Sequence, residues 1–274
     1  MSKRLPTYFI SHGGGPWPYL DGPFRRAFDQ LEQSLVDIRR ELRDAPRAVL
    51  VISGHWEENG FAISSGEKPG MEYDYSGFPP HTYQIKYKAP GSPALAARVQ
   101  QLLAGGGIPS RLDPVRGYDH GTFSIMKPLY PEENIPLVQL SIDRSYDPDA
   151  HLNVGRLLAP LRDEGVLIIG SGLSYHNMQD MRGTQGFEPS RVFDAWLQET
   201  LVASAPQQRT PRLIHWEKAP QARGAHPQED HLIPLMAAVG AAEQEAGAVV
   251  YHQKDFFGGI TASSFRFGEV PVAQ

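Results

Sequence analysis

Residues 48–60 read AVLVISGHWEENG. The first five are apolar and β-branched or aliphatic, with no polar residue on either side of the alternation. Such a run suits a strand covered on both faces, as in the parallel sheets of α/β proteins. At Ser53 the composition changes, and His55 and Trp56 stand where the strand should end. A second apolar stretch, Tyr8–Ile10, runs in the same way into Ser11-His12-Gly-Gly-Gly15. A third, Val166–Ile169, is followed within a few residues by His176. Ligands of open α/β sheets sit beyond the carboxyl ends of the strands, so three histidines at such ends point to a site there.

Working outward, strand and helix patterns alternate. Pro23 opens a helix carrying Phe24, Phe28, Leu31, Leu35, Ile38 and Leu42 at steps of three and four residues. Ser92-Pro93 is an N-cap with proline in the first turn, and the helix it starts ends at Gly105–Gly107. Leu137–Ile142 is a strand, residues 149–163 a helix, 190–203 and 230–246 helices, and Val249–Tyr251 and Thr261–Phe267 late strands. This order predicts one α/β domain over residues 1–274, a central mixed sheet flanked by helices, with the site beyond the strand ends. No repeat or low-complexity linker divides the chain.

Composition excludes several classes. The formal charge is −5, which favours neither nucleic acid nor an anionic membrane as partner. There is no cysteine, so disulfides, thiolate metal sites and a cysteine nucleophile are excluded, and any metal must take nitrogen and oxygen ligands. No apolar run is long enough to span a bilayer and no apolar leader follows Lys3-Arg4, so a cytoplasmic location is expected. A homodimer is an open possibility for an α/β enzyme; no interface pattern stands out.

The chain holds ten histidines. His12, in a glycine turn, reads as a turn residue, a phosphate-loop neighbour or a metal ligand; the Lys-Ser/Thr of a P-loop is missing. His55 reads as a packed ring or as a ligand with Trp56 excluding water. His120, in Gly117-Tyr-Asp-His-Gly-Thr-Phe123, reads as a turn residue or a hydrogen-bond donor beside a site. His176 suits general acid–base work near neutral pH. His226 and His231 are five apart, not the i, i+4 pair of a helical metal site, so at most one need be a ligand, and Glu229 or Asp230 reads as a helix cap. Tyr73–Tyr83, rich in aromatics and proline, reads as a loop over the site, and Lys86-Tyr87 as a contact for an acidic substituent.

Taken in order, several motifs form one pattern. They include Ser11-His-Gly, Ser53-Gly-His-Trp, Gly77-Phe-Pro79, Ala89-Pro-Gly-Ser-Pro93, Gly117–Phe123, Tyr130-Pro131, Pro136–Ile142, Gly170-Ser-Gly172 with His176-Asn177, and His231-Leu-Ile-Pro-Leu235. Together they resemble the class III extradiol ring-cleavage dioxygenases of the LigB type, in particular the single-chain subgroup that includes DOPA 4,5-dioxygenases. The resemblance runs over nearly the whole chain. It implies a mononuclear non-haem metal, a catechol-type substrate and O2. Carried over, His12 and His55 match two ligands. The third is His231, with Glu229 as the fallback, since founding members use glutamate there. His176 matches the acid–base histidine, with a possible fourth metal contact, and His120 a histidine that steers substrate or oxygen. A set of three histidines suits Zn(II) as well as the Fe(II) that ring cleavage needs. Two rival readings stay open on the same residues: a zinc hydrolase or lyase, and a non-catalytic metal- or phenol-binding protein.

Overall fold

The structure, a computed structural model, describes residues 4–270, apart from the side chain of Arg182. Its strands are β1 (Thr7–Ser11), β2 (Ala48–Glu58), β3 (Phe61–Ser64), β4 (Ser110–Asp113), β5 (Leu137–Asp143), β6 (Val166–Gly172), β7 (Gly247–Phe256) and β8 (Ile260–Phe267). They form one eight-stranded sheet in the order β4-β3-β5-β2-β6-β1-β8-β7. The middle four, β5-β2-β6-β1, are parallel, while β3 joins β5 and β8 joins β1 and β7 antiparallel. The expected central mixed sheet is therefore present.

Val49, Leu50, Val51 and Ile52 are all fully buried. Successive strand residues face opposite sides, so both faces of β2 are covered. The helices of the fold are α1 (Gly22–Arg26), α2 (Asp29–Leu42), α3 (Pro93–Gly105), α4 (His120–Leu129), α5 (Pro148–Leu158), α6 (Phe187–Gln198), α7 (Pro206–Ile214), α8 (Ala222–Ala225) and α9 (Ile233–Gly240), of which α4 and α9 lie on β2. α2 packs with α4, and α4 lies on β2. α5 packs with α3 and α9, and α9 lies on β6 and β1.

Three expectations need correction. The helix expected from Pro23 to Leu42 is two helices, broken at Ala27-Phe28. The break lets the buried Phe28 ring stack 5.2 Å from Trp17, while Phe24 turns outward and remains 39% exposed. The helix expected over 230–246 runs only from Ile233 to Gly240: Asp230 and His231 lie before it, at the site, and residues 241–244 are turns. The sequence pattern does not show β3, β4, α4, α7 or α8. The two strands and α8 have four residues each, and α4 and α7 carry an internal proline, Pro128 and Pro211, which disguises them.

Candidate metal centre

Five histidines converge at the carboxyl edge of the parallel strands. β1 delivers His12. Its carbonyl accepts hydrogen bonds from Trp17 Nε1 (2.8 Å) and Ser124 Oγ (3.1 Å), which hold the residue just past the strand. β2 delivers His55 through a bulge. Ser53 pairs with Ser141 and Glu57 with Ile142, so residues 54–56 stand outside the β5 ladder. A bulge re-aims a side chain that a regular ladder would commit to one face. That is why a core strand presents a histidine at its end.

The chain returns to the site at residues 226–232. The His231 carbonyl accepts a hydrogen bond from Leu173 N at 3.0 Å, just after β6. A Cβ on Gly172 would stand 2.0 Å from the His231 oxygen, and one on Gly54 2.8 Å from the Asp230 oxygen. Both strand ends are glycine because this backbone lies directly against them. His176 follows β6 and stacks on His231, with ring centroids 3.5 Å apart and planes 25° apart. His120 opens α4. Its neighbour Asp119 caps that helix, accepting from Thr122 N (3.0 Å) and Ser53 Oγ (2.9 Å), and lies 3.1 Å from Arg116. Asp119 therefore faces away from His120, as adjacent residues at a helix start do.

His55 Nε2 and His231 Nε2 face each other at 3.1 Å. Their other nitrogens are held by carboxylates: His231 Nδ1 lies 2.6 Å from Asp230 Oδ2, and His55 Nδ1 3.2 Å from Asp74 Oδ2. The His12 ring lies 4.8 Å from His55 and 5.2 Å from His231, and both its nitrogens are buried with no hydrogen-bond partner. Burial first, and then the neighbouring imidazoles, push His12, His55 and His231 well below the usual histidine range. Each is thus a neutral donor. Two nitrogens held about 2.1 Å from one ion stand about 3.0–3.4 Å apart across an octahedral or tetrahedral edge. The His55–His231 spacing fits that edge. Carboxylates behind the other ring nitrogens are the usual support of metal-binding histidines, and the unsatisfied His12 nitrogens fit a third position.

Asp74 also touches His120. Its Oδ2 lies 3.0 Å from His120 Nδ1, and its Oδ1 accepts from His120 N at 3.0 Å. Burial alone would raise this carboxyl, yet His120 and His55 hold it below its ordinary range. Burial pushes the His176 pKa down, and Asp230, 3.9 Å away, partly offsets this. Two groups therefore have donor atoms within 4.8 Å of one another, His12/His55/His120 and His176/Asp230/His231, and the His55–His231 contact joins them.

Above the histidines opens a cavity of about 470 Å³. All five line it, together with Gly13–Gly15 and Tyr75, Ser76 and Phe78 of the 73–83 loop. That loop does cover the site.

The fold agrees with that of related chains. The family described as the catalytic LigB subunit of aromatic ring-opening dioxygenase matches residues 6–268. The chain belongs to the LigB family. Among its LigB relatives, a 4,5-DOPA dioxygenase extradiol of Beta vulgaris is 38% identical over 95% of this chain and 96% of its own. One of the same name from Escherichia coli is 34% identical over 88% of this chain and 86% of its own. A crystal structure of an uncharacterized protein from Escherichia coli superposes with a TM-score of 0.77 at 29% identity, covering 97% of this chain and all of that one. The protein is accordingly an oxidoreductase of the ring-opening, extradiol type, and LigB dioxygenases work with a mononuclear metal. No helix among the described residues is long and apolar enough to cross a membrane.

Several sequence readings change. Glu229, the fallback ligand, is turned onto Arg223 at 2.7 Å and stands outside the cluster. Asp230 caps nothing; it holds His231. Trp56 does not line the cavity: its ring lies under the Arg116 guanidinium at 4.9 Å. Tyr87 is buried, its hydroxyl donating to Tyr130 O at 3.0 Å, and Lys86 does not line the cavity. His226 packs against Phe193 and Trp216, away from the cluster. Asp74 is the functional residue that sequence reasoning missed; its one signal was a lone acid in an aromatic run.

Proposed function

We propose that the protein opens a catechol ring beside its diol, with His12, His55 and His231 holding one metal ion and His176 and His120 acting on the substrate. The observation that carries this reading is the Nε2–Nε2 spacing of 3.1 Å beside the two unpartnered nitrogens of His12, at the floor of an open cavity. His231 is preferred to His120 as the third ligand because Asp230 fixes its Nδ1 and leaves Nε2 facing His55. Asp74 Oδ2 lies 3.0 Å from His120 Nδ1, so the other ring nitrogen is the one left for the substrate.

When bound, Fe(II) would supply adjacent positions for the two diol oxygens and the electron transfer to O2 that Zn(II), with no accessible redox step, cannot. The protein supplies the proton chemistry. His176 lines the cavity and is held neutral by burial, so it is ready to take a proton from a diol hydroxyl and return it to the product. Asp230, 3.9 Å behind it, steadies the imidazolium in between. His120, whose backbone N–H donates to Asp74 Oδ1 and whose Nδ1 lies 3.0 Å from Asp74 Oδ2, offers a hydrogen bond over the reacting ring. The aromatic residues of the loop, Tyr75 and Phe78, restrict water.

The test is oxygen uptake by protein stripped of metal and reloaded anaerobically with Fe(II) or Zn(II), against a panel of catechols. The expected result is a yellow ring-opened product with iron and none with zinc. Turnover of ester or amide substrates by the zinc form, with no oxygen uptake by the iron form, would replace this reading with a hydrolase. Tight catechol binding by the iron form without uptake would replace it with a binding protein.

A further inference from the structure

We infer that the cavity selects catechols whose ring carries an uncharged alkyl or aryl substituent, in preference to those carrying a carboxylate or an amino-acid side chain. The inference rests on the diol-binding reading above and concerns the opposite end of the cavity. There the wall is built by Phe24 of α1, Phe78 of the covering loop, and Phe256 and Phe257 at the β7–β8 turn. Three distant segments thus bring aromatic rings together. Phe24 lies 5.8 Å from Phe78 and 5.6 Å from Phe257, and Phe256 lies 4.3 Å from Phe257. The packing has its own accommodation in the backbone. A Cβ on Gly15 would stand 2.6 Å from the Phe78 ring, so the glycine turn after His12 makes room for this wall.

Among the described side chains lining the cavity there is no lysine, arginine, aspartate or glutamate. The Tyr75 hydroxyl is already committed, donating to Thr82 O at 2.5 Å. A carboxylate brought against this wall would lose its hydration and find no countercharge among the described lining side chains. An apolar substituent would gain. Met178 is 58% exposed and Phe24 39%, so two large apolar side chains at the rim stand partly in water that such a substituent would displace. Cavities of roughly 300–1,000 Å³ take drug-sized ligands, and at about 470 Å³ this one has room beyond a single catechol ring. A second ring would meet the edge-to-face partners that aromatic walls favour.

The test is calorimetric binding under argon to the Zn(II)-loaded protein, which cannot turn substrate over. The ligands are catechol, its 4-methyl, 4-ethyl, 4-propyl and 4-phenyl derivatives, 3,4-dihydroxyphenylpropionate and 3,4-dihydroxyphenylalanine. The expected result is a Kd that falls about fourfold per added methylene, with the phenyl derivative tighter than methyl and both charged ligands weaker than 4-propylcatechol. Phe24→Ala should reduce the gain per methylene to about twofold or less, whereas Phe24→Leu, which stays apolar, should keep most of it. Phe24→Lys should move the preference toward the carboxylates. Tighter binding of the propionate than of 4-propylcatechol by the unaltered protein would overturn the inference and point to the backbone of Gly13–Gly15 as an anion cradle. Equal affinity across the alkyl series would overturn it while leaving the diol site standing. Failure to bind any catechol would remove the diol reading and this inference with it.

Discussion

Replacing Asp74 by asparagine should loosen the metal without removing a single ligand. The wild-type carboxylate accepts from His120 N (3.0 Å) and lies beside two ring nitrogens, His120 Nδ1 (3.0 Å) and His55 Nδ1 (3.2 Å). All three are donors when the rings present their other nitrogens to the cavity. An asparagine keeps one acceptor oxygen and turns an NH2 toward the rest. If the oxygen stays on His120 N, the NH2 faces ring N–H groups and at least one imidazole must change tautomer or rotate. For His55 that exchanges the nitrogen now 3.1 Å from His231 Nε2. Loss of such a supporting carboxylate typically costs 10–100-fold in metal affinity, which is about 1.4–2.7 kcal/mol. Competition with a chromophoric chelator for Zn(II) reads this directly. Thermal unfolding of the metal-free protein serves as the control, since the backbone hydrogen bond to His120 is itself worth about 1 kcal/mol. Unchanged metal affinity in a variant that melts like the wild type would show that Asp74 merely latches the loop, and that the His55 ring is set by something else.

The remaining predictions address the roles one at a time. His231→Ala and His12→Ala should each abolish tight metal binding, while His120→Ala should keep metal and lose turnover; elemental analysis showing the reverse for His231 and His120 would exchange their roles. His176→Phe should retain metal but lose about 10²–10⁴ in kcat, and unimpaired oxygen uptake would remove it from proton transfer. For His226, burial pushes the pKa down to about 3 from an ordinary 6.5, so the folded protein keeps it neutral while the unfolded chain takes a proton as pH falls below 6.5. Its contribution to stability is whole above that value and shrinks on acidification, by about 2 kcal/mol between pH 8 and pH 5. Urea unfolding of His226→Leu should show a pH loss smaller than wild type by that amount; parallel pH profiles would mean that the ring is accessible to protons in the native state.

The parts of the fold legible in the sequence were those where one physical demand repeats along the chain. Val49–Ile52 reads as a doubly covered strand because every residue meets the same apolar surroundings. Leu31, Leu35, Ile38 and Leu42 mark α2 because one side of it alone is buried. α4 escaped because all but one of its residues are buried, which erases the stripe, and because Gly121 and Pro128 argue locally against a helix. Tertiary packing outweighs those propensities.

The site was legible only in pieces, for a related reason. Sequence shows that β1, β2 and β6 run into histidines, but the closeness of His12, His55 and His231 is a consequence of strand order, and it entered the reading through family resemblance. Two features had no local signature at all. The bulge at residues 54–56 sets His55 in the cavity wall and leaves Trp56 against Arg116. The 73–83 loop folds back so that one carboxylate meets two histidines from β2 and α4. Both break the regularity that a pattern reports. Such breaks are where a sheet stops pairing with itself and leaves its polar groups for something else. In this protein His12 makes the point: its carbonyl is engaged by Trp17 and Ser124, yet its ring nitrogens, buried among neutral imidazoles, have no partner among the described residues. A cation held there, as proposed, would recover the cost of burying that ring and would tie the stability of this end of the sheet to occupancy of the site.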